Sequence, residues 1–238
     1  MRYFIEFAYK GTHYHGSQMQ PNGITVQNVL QDAFATILRQ PVGLVFAGRT
    51  DAGVHAEQMF AHFDLDIEPP TPERLNRLLP TDIAVYRIFR VADDLHARFS
   101  AVSRTYEYRI TTRKSPFTHH TRTYVPAPLD YEAMNEAARL LLGTHDFAAF
   151  CKLHTDSKTT ICTVTDARWI TKRDEAVFTI TADRFLRNMV RAVVGTLFEV
   201  GRHKITPEDF GTVIRSLSRQ AAGQSAPPEG LFLTSVRY

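Results

Sequence analysis

An α+β fold made of two units of one design is what this chain predicts, on three observations. The order strand-helix-strand-strand-helix-strand can be read twice along its 238 residues. Strand candidates alternate apolar and polar residues, whereas helix candidates repeat their apolar residues every three or four positions. The length suits two domains of about a hundred residues each. Each half therefore reads as a ferredoxin-like, or RRM-like, β-α-β-β-α-β unit with an antiparallel sheet. Its boundary falls near Phe99 to Ser103, dividing the chain into domains 1–101 and 102–238.

In the first half, Met1 to Tyr9 alternates around Tyr3, Ile5 and Phe7 and predicts a strand. Turn chemistry fills Gly11 to Gly23. Thr25 can cap a helix with the apolar face Val26, Val29, Leu30, Ala33, Phe34, Ile37 and Leu38. Leu44-Val45-Phe46 and Met59 to Leu65 are strand candidates. Thr71-Pro72-Glu73 places a cap, an N-terminal proline and an acid at the start of a short helix to Leu79. Ile83 to Val91 closes the half as a strand.

The second half begins with a strand from Ser103 to Thr111, then a long loop from Arg113 to Pro128. Asp130 caps a helix carrying Met134, Ala137, Ala138, Leu141 and Leu142 and ending at Gly143. Thr159 to Ile170 and Ala176 to Ala182 pair across the polar turn Lys172-Arg173-Asp174. A helix is expected from about Arg184 to Val200, stopped by Gly201. Thr206-Pro207-Glu208 opens an additional one, and Leu231 to Tyr238 is the last strand.

With 44% apolar and 22% charged residues, the composition is that of a folded globular protein. No stretch approaches the roughly 18 to 20 apolar residues of a membrane span. Glu6 interrupts any signal-peptide core, so a cytoplasmic location is expected. Cys151 and Cys162 have no CxxC partner and no zinc-like spacing, which predicts free buried thiols. His13, His15, His119 and His120 lack a carboxylate or cysteine cluster, so no metal site is expected. The net charge of +3 is unevenly placed: residues 87–122 carry eight cations against three anions. Phe99, Tyr106 and Tyr108 are interleaved among them, as a surface for phosphates and bases requires.

Ala47 to Ala56 reads Ala-Gly-Arg-Thr-Asp-Ala-Gly-Val-His-Ala, between two strand candidates. Gly48 and Gly53 bracket the stretch and allow tight bends, and Arg49 and Asp51 stand between them. A lone Asp-x-Gly is usually a polar turn; this longer string is more specific. From Gly48 onward it closely resembles the active-site signature of the tRNA pseudouridine synthase A family. Further matches stand in the family's order: Gly16 to Gln20 with Thr25-Val26-Gln27, His96 to Ala101, Tyr106-Glu107-Tyr108, and Gly143 to Phe147. Phe185-Leu186 with Met189-Val190-Arg191 and Gly195, then Pro228-Glu229-Gly230-Leu231, complete the set.

The resemblance implies a homodimeric, cofactor-free isomerase that turns uridine into pseudouridine in the anticodon stem-loop of tRNA, at positions 38 to 40. It implies two sheets side by side around a central RNA-binding cleft. By the same resemblance Asp51 is the nucleophile, Arg191 its basic partner, and Tyr106 the ring that stacks on the target base. Leu231 packs under that base and Arg49 helps keep the uridine out of the helix stack. Arg98 and Arg104 belong to the basic segment expected to meet phosphates. Tyr108 alternates to the same face as Tyr106, so either could be a core residue. Three departures from the family pattern stand at Ser17, at Gln58-Met59 and at Cys162. A non-catalytic pair of RRM-like units is a competing reading. It lacks the Gly-Phe aromatic strand motif and has no need for Arg49, Asp51 and Arg191 together.

Overall fold

The computed structural model describes residues 1–152 and 159–238. It is a mixed α and β structure with mostly antiparallel strand pairing, and it divides into two compact units. Met1–Val102 with Leu233–Tyr238 makes the first, and Ser103–Phe232 the second.

The first unit runs β1 (Arg2–Tyr9), α1 (Val26–Leu38), β2 (Val45–Phe46), β3 (His55–Asp64), α2 (Pro72–Asn76), β4 (Ile83–Arg90). β1 lies between β4 and β3, antiparallel to both, and β2 pairs with β3. Thr25 caps α1 as the sequence predicts: its side chain accepts from Asn28 N–H, and the Asn28 side chain accepts from Thr25 N–H. The buried face of α1 is Val26, Leu30, Ala33 and Phe34, and Phe34 meets Phe63 of β3 edge-on at 5.0 Å. Thr71 makes no side-chain cap, and α2 ends at Asn76, short of the expected Leu79.

The second unit contains β5 (Ser103–Thr111), β6 (Thr123–Tyr124), α3 (Tyr131–Arg139), β7 (Gly143–Asp146), β8 (Ile161–Lys172) and β9 (Glu175–Ala182). α4 (Met189–Gly201) and α5 (Pro207–Ser216) follow; next in the chain is β10 (Leu231–Arg237), of which only Leu231 and Phe232 count with this unit. Its strands lie in the order β5-β9-β8-β7, with β6 parallel to β5. Asp130 caps α3 by accepting from Glu132 and Ala133 N–H, and Thr206 caps α5 with a capping box. Three elements differ from the sequence reading. α3 stops at Arg139, and Gly143, at φ +97°, opens β7 instead of ending a helix. β6 interrupts the expected loop. α4 starts at Met189, because Asp183 Oδ1 accepts from Arg184 N–H and Asn188 turns into a left-handed φ of 67°.

The sequence grouped residues 102–238 together, but Leu233–Tyr238 counts with the first unit. The Tyr238 ring sits 5.1 Å from Phe4 and 5.4 Å from Phe60, and its hydroxyl donates to the Ala97 carbonyl at 2.7 Å. This contact also explains β1. Its alternation predicts one buried face, yet Phe4 and Glu6 on the other face are buried too. Among the described residues no helix is long and apolar enough to cross a membrane.

Candidate active site

Asp51 lies on the loop between β2 and β3 and is half-buried; Arg49 on the same loop is exposed. The surrounding loop is moulded by Gly11 to Ser17. Gly11 N–H donates to His55 Nδ1 at 2.9 Å, and Gly53 N–H donates to the Tyr14 carbonyl at 3.3 Å. The Asp51 carbonyl accepts from Val54 N–H at 3.2 Å, closing the turn. A Cβ at Gly11 would fall 1.9 Å from the Val54 carbonyl oxygen, so no other residue fits that approach. Gly53, at φ +79°, is one of the bracketing glycines the turn requires. Gly48 is not: nothing lies within 4 Å of a Cβ there, and its φ is ordinary. Tyr14 anchors the mould by donating to Asp82 at 2.6 Å; burial and that carboxylate raise its hydroxyl pKa. His55 is buried and serves the backbone.

In the second unit, Tyr106 is half-buried on β5, and the Phe185 ring meets it edge-on at 5.0 Å. Phe185 lies in an irregular stretch ahead of α4, where a helix was expected. Tyr108, two residues on, is fully buried. Its hydroxyl pairs with Thr123 Oγ1 at 2.7 Å and donates to the Pro227 carbonyl at 2.8 Å. Burial raises its pKa. Of the two tyrosines left open by the sequence, Tyr108 is the core residue.

Arg191 lies in the first turns of α4, half-buried where its neighbours Met189, Val190, Ala192 and Val193 are buried. Its Nε donates to the Ala226 carbonyl at 2.7 Å, and Ala226 N–H donates to the Arg191 carbonyl at 2.9 Å. Gly195 makes this docking possible, since a Cβ there would lie 1.8 Å from the Gln224 carbonyl oxygen. The segment held in this way leads through Pro228–Gly230 to Leu231, buried at the start of β10. At Gly230 a Cβ would crowd the Arg109 carbonyl and the Tyr108 ring. Met189-Val190-Arg191, Gly195 and Pro228 to Leu231 are thus one packed assembly.

Arg98 is exposed, its guanidinium 5.7 Å from the Phe99 ring, and Phe99 is 76% exposed. The turn under them is tight: His96 Nδ1 accepts from Arg98 and Phe99 N–H. Arg104 donates to the Asp183 carbonyl at 2.8 Å. Among the described residues of the basic segment, Arg87 pairs with Glu6, Arg109 with Glu107 and Arg122 with Glu175. Among the described residues no group of three or more His, Cys, Asp or Glu side chains could hold a metal ion.

Residues 137–238 match a family described as tRNA pseudouridine synthase. A tRNA pseudouridine synthase A from Bacteroides fragilis is 56% identical over 243 residues, covering 100% of this chain and 96% of the relative. The chain belongs to the tRNA pseudouridine synthase A family. Relatives of that name from Bacteroides thetaiotaomicron (56% identical, 100% of this chain and 90% of theirs) and Parabacteroides distasonis (53%, 100% and 96%) are similar to it along their length. Pseudouridine synthases are isomerases, and membership makes this chain an enzyme of that class.

Departures from the tRNA pseudouridine synthase A pattern have structural roles here. The Gln58 amide donates to Glu6 and accepts from Val236 N–H, tying β3 to β1 and β10. Met59 is core. Cys162 is a buried free thiol on β8 whose pKa burial pushes up to about 12. Ser17 is fully buried beneath the signature loop. Sequence reasoning gave no role to Tyr9, Tyr14 and Thr50, which hold that loop; Tyr9 read as the end of a strand, Tyr14 as one of a run of turn residues, and Thr50 as part of the signature.

Proposed function

We propose that this enzyme isomerises uridine to pseudouridine in tRNA at positions 38 to 40 of the anticodon stem-loop, with Asp51 as nucleophile and no cofactor. The observation that carries the reading is the signature loop, whose backbone is braced by a second loop while Asp51 stays half-open. The N1–C1′ bond breaks, C5 bonds to C1′, C5 loses a proton and N1 gains one, so substrate and product are isomers. No electrons or groups need to be supplied from outside. Asp51 must be ionised to attack, and Arg191 is proposed as the cation that keeps it so. Tyr106 is proposed to stack on the extruded uracil, with its phenol placed to take the C5 proton. Leu231 supports the base from below, Arg49 holds the uridine out of its stack, and Arg98 and Arg104 meet phosphates.

A cytoplasmic homodimer is part of the same reading. So is a ferredoxin-like description of each unit, supported in the first by the order β-α-β-β-α-β and the pairing of β1 between β3 and β4. The test is incubation with unmodified tRNA in buffer alone, followed by chromatography of the nucleosides and mapping of the modified positions. Pseudouridine at positions 38 to 40 is the expected product. Its absence, or its appearance only elsewhere in the tRNA, would refute the proposal.

A further inference from the structure

The residue before Asp51 is held from outside its own loop. Thr50 is 8% exposed and all of its polar groups are engaged. Its N–H donates to Ser17 Oγ at 2.9 Å, its carbonyl accepts from Ser17 N–H at 3.2 Å, and its hydroxyl pairs with Tyr9 OH at 2.8 Å. Ser17 has no solvent exposure, and its own carbonyl accepts from Gln27 N–H in the first turn of α1 at 3.0 Å. Gly16, at φ +91°, lets the two backbones close: a Cβ there would stand 2.7 Å from the Thr50 carbonyl oxygen. A continuous set of hydrogen bonds therefore runs from α1 through Ser17 to Thr50, the residue before Asp51.

We infer that Ser17 is a positioning residue whose hydroxyl holds the Arg49–Thr50 peptide and thereby sets the direction in which Asp51, the next residue, leaves the loop. This rests on the assignment of Asp51 above. Ser17 touches no reacting atom. Without its hydroxyl, the Thr50 N–H is left buried with no acceptor, an arrangement that costs free energy unless the peptide turns. Turning that peptide displaces the Asp51 backbone, and a nucleophile that must meet its target at a defined angle loses rate when displaced by a fraction of an ångström. The tRNA is gripped through many phosphates elsewhere, so its binding does not depend on this peptide.

The test compares Ser17→Ala and Ser17→Thr with wild type in steady-state turnover of tRNA, thermal melting, and hydrogen-deuterium exchange at the Thr50 amide. For Ser17→Ala, kcat is expected to fall about ten- to a hundredfold, as for misplaced catalytic groups. KM should stay within about twofold, as when an interaction made only in the transition state is lost. Exchange at Thr50 should be faster, and Ser17→Thr, which keeps the acceptor, should recover kcat. Wild-type kcat in Ser17→Ala, a loss carried by KM alone, or unchanged exchange at Thr50 would each overturn the inference. If Ser17→Ala does not fold, Ser17→Cys is judged by the same readouts, since it keeps the volume and weakens the acceptor. Exchange at Thr50 does not depend on activity. A wild-type protein that makes no pseudouridine would therefore refute the Asp51 assignment, while the exchange result still decides whether Ser17 holds the loop.

Discussion

At the residue scale, the two tyrosines of β5 differ in exposure, and the proposed chemistry falls to the half-open one. Tyr108 is closed in by Thr123 and Pro227, so Tyr108→Phe should cost stability, about 0.5–1.5 kcal/mol for each hydrogen bond lost, and leave the rate of a folded enzyme unchanged. Tyr106 touches Phe185 by its edge and is half-open. If it stacks on the uracil only after extrusion, its loss falls on the rate and not on affinity. Tyr106→Leu should then slow single turnover about ten- to a hundredfold, the equivalent of 1–3 kcal/mol of stacking. Tyr106→Phe should fall between that variant and wild type, because it keeps the ring and loses the phenol. Full activity in both variants would assign Tyr106 to packing. Asp51→Asn and Asp51→Ala should abolish pseudouridine formation with tRNA affinity changed no more than a few-fold. Turnover above a few per cent of wild type in either variant would remove Asp51 as nucleophile.

At the scale of elements, β3 and the turn that follows β4 share a buried histidine. His62 Nδ1 accepts from Ala97 N–H at 3.1 Å, with the His96 ring 4.5 Å away. Burial holds the His62 pKa down to about 4, helped by Arg2 and His96 and opposed by Asp64. Above the ordinary value of 6.5 both folded and unfolded forms are neutral. As the pH falls from there toward 4, the unfolded chain takes up a proton that folded His62 refuses, so stability drops across this window. Melting temperatures recorded between these limits should fall more steeply for wild type than for His62→Asn. That variant retains a side-chain acceptor and does not titrate. Parallel curves would show that the loss of stability arises elsewhere, with His96, whose pKa is also lowered by burial, the next group to replace.

At the scale of the whole molecule, affinity for RNA depends on which cations a phosphate can reach. Arg87, Arg109 and Arg122 each have a carboxylate partner, so the charge of segment 87–122 overstates what a phosphate meets. Arg98 is exposed. Each phosphate neutralised on a duplex contributes about −0.9 to the slope of log K against log salt. Arg98→Glu with Arg104→Glu should accordingly flatten that slope for tRNA by about one to two units. Arg109→Glu should change it less. An unchanged slope in the double variant would make the exposed face a merely solvated one. Dialysis against EDTA should leave turnover intact once the tRNA fold is verified. Activity lost and restored by zinc or magnesium would contradict a cofactor-free isomerisation.

What the sequence determined by itself is whatever depends on neighbours in the chain. Alternation places β5 at Ser103–Thr111, and Thr25, Asp130 and Thr206 cap their helices, because a strand's period and a helix's orphan amides are settled within a few residues. The ten-residue signature is local in the same sense. Tertiary structure alone decided matters that join distant residues. Tyr238 closes over Phe4, which withdraws the last strand's end from the half of the chain that precedes it. Tyr108 was separated from Tyr106 by the Pro227 carbonyl, far along the chain. The start of α4 depends on the Asp183 carboxylate and on Asn188, whose side chain reaches Ser225. In the sequence Ser17 is only a departure from the family pattern; in the structure it is buried against Thr50. A buried hydroxyl has no periodicity to betray it; its partner is chosen by how the chain folds back, here onto the residue before Asp51.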